Sequence, residues 1–236
     1  MTAAPAKKSD LGVRTASAAV MVAIAGLALW QGGVVLDAFI LLVALVVLWE
    51  FTMLVNKIAR TSAGKLAALA GAIAYVAGAA LALIAMPEEL LVVVIGTIIC
   101  VDTGAYFVGR AIGGPRIAPA ISPSKTWAGL GGGILGASLW FMVLTVLLAG
   151  ATSGLLGGAK SPDAAALMRI AAIVVPVAAV VTIVAQAGDF FESWLKRRAG
   201  VKDSSGFIPG HGGVFDRVDG LLPVAIIVGL VVGWIQ

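Results

Sequence analysis

Residues 188–219 read GDFFESWLKRRAGVKDSSGFIPGHGGVFDRVD, a charged, glycine-rich interruption in an otherwise apolar chain. Of the chain's 28 charged residues (16 Lys and Arg plus 12 Asp and Glu), ten fall in these 32 positions, together with its single histidine, His211. The flanking sequence is apolar enough to live in lipid, where an unsolvated charge is costly. These charges must therefore meet water, each other or a ligand.

The first part of the stretch reads as helix. Asp189, Glu192 and Lys196 then fall at i, i+3 and i+7 on one face, with Arg197 and Arg198 beside them. The next part carries Gly206, Pro209, Gly210, Gly212 and Gly213, which cannot hold a helix and readily offer backbone N–H groups to an anion. Asp216 and Asp219, with Arg217 between them, open the last apolar segment. Hard divalent cations take oxygen ligands, commonly one or two carboxylates plus substrate phosphates. Asp189, Asp216 and Asp219 around a basic, glycine-rich loop supply both halves of that arrangement. Taken singly, Lys196, Arg197, Arg198 and Lys202 would serve equally well as cytoplasmic topology signals. That plainer reading leaves the three aspartates, the lone histidine and the Gly/Pro cluster unaccounted for.

Working outward, 61% of the 236 residues are hydrophobic, 12% are charged, and mean hydropathy is +1.08. A soluble core of this size could not absorb so much apolar sequence, so the composition describes an all-α, polytopic membrane protein. The net charge of +4 would suggest nucleic acid only on a soluble basic domain, and the sequence shows none. Cys100 is the only cysteine, which excludes a disulfide framework and a Cys/His metal cluster.

Hydropathy predicts seven spans: Thr15–Trp30, Val34–Val55, one ending near Met86, Leu90–Val108, Trp127–Ala149, one from about Ala165 past Asp189, and Leu221–Trp234. Residues 1–14 form a polar N-terminus, uncleaved on this reading, and the chain is expected to be a single domain with its catalytic portion over about 97–236. Lys and Arg gather at the N-terminus and in the 56–65, 109–126 and 196–219 loops. The opposite turns, at 31–33, 87–89 and 150–164, carry only Lys160. The positive-inside rule then places the N-terminus and the polar loops in the cytoplasm.

Two further stretches carry chemistry. Cys100-Val101-Asp102-Thr103-Gly104-Ala105-Tyr106 sets Asp102 and Tyr106 one turn apart inside an apolar span. An aspartate there costs roughly 3 kcal/mol if it faces lipid, so a polar cavity or a partner is expected. Ile121-Ser122-Pro123-Ser124-Lys125-Thr126-Trp127 precedes the fifth span, with Ser124 or Thr126 suited to capping it. Lys125, with Ser122, Ser124 and Thr126, could grip phosphate at that helix start, or these residues could form only a cap beside an interfacial tryptophan. Glu50 reads as a snorkelling or helix-tying carboxylate.

The run from Ser193 to Asp219 resembles the signature of the phosphatidate cytidylyltransferase family, also called CDP-diacylglycerol synthases. The matching residues include Ser193, Lys196, Arg197, Lys202, Asp203, Ser205, Pro209, His211, Gly212, Gly213, Asp216, Arg217 and Asp219. The Asp102–Tyr106 and Ser122–Trp127 stretches are similar to other motifs of the same family, in the same order. The resemblance implies a nucleotidyltransferase that joins CTP and phosphatidate into CDP-diacylglycerol with release of pyrophosphate. It implies Mg²⁺ as cofactor, with a second metal ion compatible with the chemistry. Asp189 and Asp216 are then first-choice metal ligands, and Asp219 and Asp102 supporting ones. Lys196, Arg197, Lys202, Arg217 and Lys125 are expected to meet phosphate, while His211, Gly212 and Gly213 shape the loop. The expected setting is the lipid bilayer of the plasma or inner membrane, with the active site facing the cytoplasm, no nucleic acid partner, and a homodimer compatible with the family. Two other classes fit parts of the pattern. A CTP-dependent polyprenol or phytol kinase would use similar metals on another acceptor. An ion-coupled transporter would use Asp102 and Asp189 at the midplane, whereas here the polar residues gather at cytoplasmic ends.

Overall fold

The structure is a computed structural model, described here over residues 11–155 and 163–235. Eight helices and one hairpin follow in order: α1 Leu11–Gln31, α2 Gly33–Ile58, α3 Ser62–Ala85, α4 Glu88–Ile112, β1 Arg116–Ala118, β2 Ser122–Thr126, α5 Trp127–Leu155, α6 Ala164–Arg198, α7 Phe215–Val218 and α8 Leu221–Ile235. Six of them, α1 to α6, are long and apolar enough to cross a bilayer. The molecule is thus an all-α, multi-pass membrane protein, as composition predicts. The seventh expected span forms only a 15-residue helix, α8, shorter than the roughly 20 residues a bilayer needs. Residues 1–10, Lys160 and most of the 156–164 loop lie outside the described residues.

The chain divides into two compact units. The first comprises Met1–Ile84 and Leu195–Val218, and the second Ala85–Trp194 and Asp219–Gln236. In the first unit, Gly32 and Gly33 take φ values of 62° and 47°, a left-handed turn open to glycine that reverses the chain between α1 and α2. Along α2, Leu36, Ile40, Val47, Phe51, Leu54 and Val55 form one buried stripe. Phe51 stacks on Phe215 with ring centroids 5.5 Å apart, which fixes α7 against α2.

In the second unit, α4 and α5 approach so closely that only glycine fits. A Cβ on Gly136 would lie 2.2 Å from the Cys100 carbonyl oxygen, and one on Gly104 would lie 2.3 Å from that of Gly132. Without a hydrophobic drive between helices in lipid, such close backbone packing holds spans together. Trp140 locks the crossing further out: its Nε1–H donates to the Val93 carbonyl at 3.2 Å, and its ring lies against Gly96.

The 109–126 stretch is more ordered than a loop. Helix α4 runs on to Ile112, and β1 and β2 pair antiparallel, with Arg116 opposite Thr126 and Ala118 opposite Ser122. Thr126 is the cap of α5, its Oγ1 accepting from the Gly129 N–H at 3.0 Å, whereas Ser124 lies exposed in β2.

Candidate functional site

Each unit carries one polar cluster, and the two are built differently.

In the second unit, the cap at Thr126 ends β2 and sets Lys125 immediately before α5. Lys125 forms a salt bridge with Asp189 of α6, and both side chains are about a quarter exposed, at 22% and 25%. Ser193, one turn along α6, approaches the other oxygen of Asp189 at 3.4 Å. Burial alone would push the Lys125 ammonium down, but Asp189, by charge and by hydrogen bond, together with Asp102 and Asp219, holds it above its usual value. Asp219 lies between α7 and α8 with Oδ1 accepting from the Gly220 N–H at 2.8 Å. Its carboxyl is pushed up from 3.8 to about 7, first by burial, then by the charge of Asp189 and, more weakly, of Asp102. The Gly220 hydrogen bond and Lys125 pull the other way without compensating. The segment fits tightly: a Cβ on Gly188 would lie 2.2 Å from the Asp219 carbonyl oxygen.

Asp102, exposed on α4, belongs electrostatically to this group because its charge acts on both Lys125 and Asp219. The Tyr106 hydroxyl, one turn further along α4, accepts from Arg110 at 3.2 Å. Ser122 is buried at the start of β2, and Glu192 is fully buried on α6.

In the first unit, Asp216 on α7 meets Lys196, on the last turns of α6, at 2.5 Å. Its other oxygen accepts from the Gly213 N–H at 2.8 Å and from the Ser204 N–H and hydroxyl at 3.0 and 2.9 Å. Four groups surround Glu50, fully buried on α2: the Ser205 hydroxyl and the Val214 and Phe215 N–H groups donate to it at 2.5, 2.9 and 2.7 Å, and the Ser204 hydroxyl, 3.1 Å away, shares its one proton between Glu50 and Asp216. A buried carboxylate is tolerated where such donors replace water. Glu50 therefore organises the whole 204–215 loop from a helix some 150 positions earlier in the chain. It also explains Gly213, where a Cβ would strike Ser204 Oγ and both Glu50 oxygens.

His211 sits at the tip of a tight turn closed by Ile208 N–H to Gly212 carbonyl at 2.8 Å, with Gly210 and Gly212 at φ 76° and 80°. Arg217 donates to the His211 carbonyl at 2.8 Å. A Cβ on Gly212 would approach Asp216 and Asp203. Arg197, Lys202 and Asp203 are exposed.

Among the described residues, no three His, Cys, Asp or Glu side chains stand close enough to hold a metal ion by themselves. Mg²⁺ needs fewer, because substrate phosphates and water complete its shell. The Asp189 and Asp219 carboxylates suit it: hard oxygen donors in a group whose anionic charge Lys125 does not offset. Asp216 is less open, since Lys196 and the Ser204 and Gly213 donors occupy its oxygens.

Sequence reasoning did not single out Ser204, and it undervalued Glu50. The available signal was a carboxylate inside the apolar run Val46–Leu54, with no basic residue within a turn to pair it.

Residues 85–234 match the model of the cytidylyltransferase family. Over 129 residues the chain is 43% identical to a phosphatidate cytidylyltransferase of Brucella suis biovar 1 (strain 1330), a match covering 55% of this chain and 41% of that protein. It is 40% identical over 120 residues to the phosphatidate cytidylyltransferase of Haemophilus influenzae, covering 51% and 37%. Against that of Thermotoga maritima it is 40% identical over 124 residues, covering 52% and 42%. The chain spans about two fifths of the length of the curated relatives it matches.

Proposed function

The chain belongs to the cytidylyltransferase family, and from that premise we propose that it transfers CMP from CTP to phosphatidate, forming CDP-diacylglycerol and pyrophosphate. The Brucella and Haemophilus relatives carry the name of that reaction. An ionised phosphate oxygen of the lipid attacks the α-phosphorus of CTP. The bond from that phosphorus to the bridging oxygen breaks, and its electron pair leaves on pyrophosphate. The nucleophile is already an anion, so the reaction needs no general base. What it needs is relief of repulsion between two polyanions and stabilisation of the leaving charge.

The observation that carries this reading is the Lys125–Asp189 pair, with Asp102 and Asp219 acting on it. Lys125 can exchange a carboxylate for a phosphate, and the aspartates can hold the cation that accompanies a triphosphate. Mg²⁺ would sit on Asp189 with help from Asp219 and Asp102, and when bound it would neutralise phosphate charge and polarise the phosphorus. Asp216 would hold a metal ion only by exchanging Lys196. Lys196, Arg197, Lys202 and Arg217 supply positive charge for the triphosphate or the lipid headgroup. Ser122, Ser124 and Thr126 frame Lys125. We place the reaction at the cytoplasmic face of the inner membrane, a reading supported by the basic residues of the 109–126 and 196–219 stretches.

The test is label transfer from CTP into lipid by detergent-purified protein, with and without Mg²⁺. Mg²⁺-dependent CDP-lipid from phosphatidate is expected. Label appearing only with isoprenoid alcohols as acceptors, or none in any lipid, would overturn the acceptor assignment.

A further inference from the structure

Helix α1 reaches the glycine-rich loop through one hydroxyl. Ser17 Oγ lies 2.8 Å from His211 Nδ1, 2.9 Å from the Pro209 carbonyl oxygen and 3.1 Å from the Arg14 carbonyl oxygen of its own helix. A hydroxyl has one proton to give. If it were given to Nδ1, Ser17 Oγ would face the Pro209 oxygen at 2.9 Å with no hydrogen between them. If it is given to Pro209, Nδ1 must carry the ring proton and donate it to Ser17, and both short contacts become hydrogen bonds. The second arrangement makes two bonds where the first makes one.

The surroundings keep His211 in this position. Its backbone N–H donates to Ile208 at 3.0 Å, its carbonyl accepts from Arg217, and the left-handed glycines at 210 and 212 flank it. A Cβ on Gly210 would lie 2.7 Å from Arg14 Cγ, so the loop is seated directly on the first turns of α1.

We propose that Ser17 is a positioning residue for His211, fixing the neutral imidazole as the Nδ1–H tautomer and leaving Nε2 as its acceptor nitrogen. Which ring nitrogen is protonated follows from the hydrogen bond the other makes. Free imidazole side chains favour the opposite form, with the proton on Nε2, so Ser17 reverses the default. The consequence for turnover rests on the reading under Proposed function: an acceptor Nε2 can receive a hydrogen bond from the hydroxyl of a singly ionised phosphate monoester and so orient its anionic oxygens, without acting as a base. The neighbouring Arg217 supplies positive charge that draws such a group in.

The single histidine makes the test direct. Protein labelled with ¹⁵N in the imidazole ring gives two nitrogen resonances, both from His211, and is followed in detergent through a pH series to the limit at which the two shifts no longer change. The wild type should show a protonated Nδ1 and an unprotonated Nε2. Ser17→Ala should move the proton to Nε2, and Ser17→Thr, which restores the hydroxyl, should return it. In parallel, Ser17→Ala should lower kcat about tenfold with KM for CTP nearly unchanged, and Ser17→Thr should recover it. A wild type already protonated at Nε2, or a tautomer unmoved in Ser17→Ala, would overturn the proposal even if activity fell, because Ser17 would then only clamp the loop. An inactive wild type with the expected tautomers would overturn the reaction assigned above while leaving the Ser17–His211 assignment standing.

Discussion

Glu50 and Asp189 are both carboxylates on long apolar helices, and the protein treats them in opposite ways. Glu50 is fully buried, and four donors from residues 204–215 surround its two oxygens. Asp189 is a quarter exposed, shares Lys125 with Asp102 and Asp219, and adds its charge to the burial that first pushes the Asp219 carboxyl up to about 7. A carboxylate supplied with donors fixes a loop. One left short of positive charge is prepared for a cation or for a ligand that brings one. The first cluster is therefore expected to answer to stability and the second to chemistry.

The largest effect that would sharpen this contrast is at Asp189. Asp189→Asn keeps the shape and removes the charge, and turnover should fall by about a thousandfold, on the scale of losing a preorganised electrostatic group. Its thermal midpoint in detergent should stay near that of the wild type. Next comes Glu50→Gln, which turns an amide –NH₂ toward backbone and hydroxyl donors. Unfolding measurements should show a loss of about 3 kcal/mol, the cost of spoiling a buried charged network, while the activity per folded molecule is retained. Near-normal stability in Glu50→Gln would break the comparison from its structural side.

A smaller effect concerns pH. The Asp219 carboxyl in the folded chain titrates near 7 against 3.8 for its ordinary value, so the folded state holds a proton that the unfolded state has already lost between those limits. Its contribution to stability is full below about pH 4 and is lost as pH rises through 7. Without added metal, the thermal midpoint should therefore decline from pH 5 to 8, and Asp219→Asn should flatten that slope. On the proposed metal site, Mg²⁺ would compete with that proton, and its binding should weaken by up to tenfold per pH unit below 7. The smallest effect is expected at the α4–α5 crossing, where Gly136→Ala places a methyl against the Cys100 carbonyl. A loss of about 1–3 kcal/mol should follow, with turnover reduced only through small shifts of Asp102.

Much of this was legible in the sequence, for reasons that differ by residue. Helices α1 to α6 follow from long apolar runs, and α6 runs through Pro176 and Gly188 to Arg198, stopping just before Gly200, which takes a left-handed φ of 68°. Asp102, Lys125, Asp189 and Asp219 were found because charge is conspicuous in an apolar chain and because their motifs resemble one family. Their mutual coupling was not legible, since it depends on α4 and α5 meeting glycine to glycine. The hairpin at 116–126 is not legible in the sequence, since a strand of sequence SPSKT has no alternating apolar pattern to announce it. Glu50 was undervalued because its partners are serines and backbone N–H groups, which no charge pattern reveals. The short α8 fell below span length although its sequence is fully apolar.

On the proposed reaction, the Lys125–Asp189 group carries the chemistry. The most direct check is the rate of CDP-diacylglycerol formation from phosphatidate and CTP by Asp189→Asn, expressed per folded molecule across a Mg²⁺ series. The rate should be lower by about a thousandfold and not restored by added Mg²⁺, in a protein of unchanged thermal stability. Wild-type turnover with an unaltered Mg²⁺ dependence would contradict it.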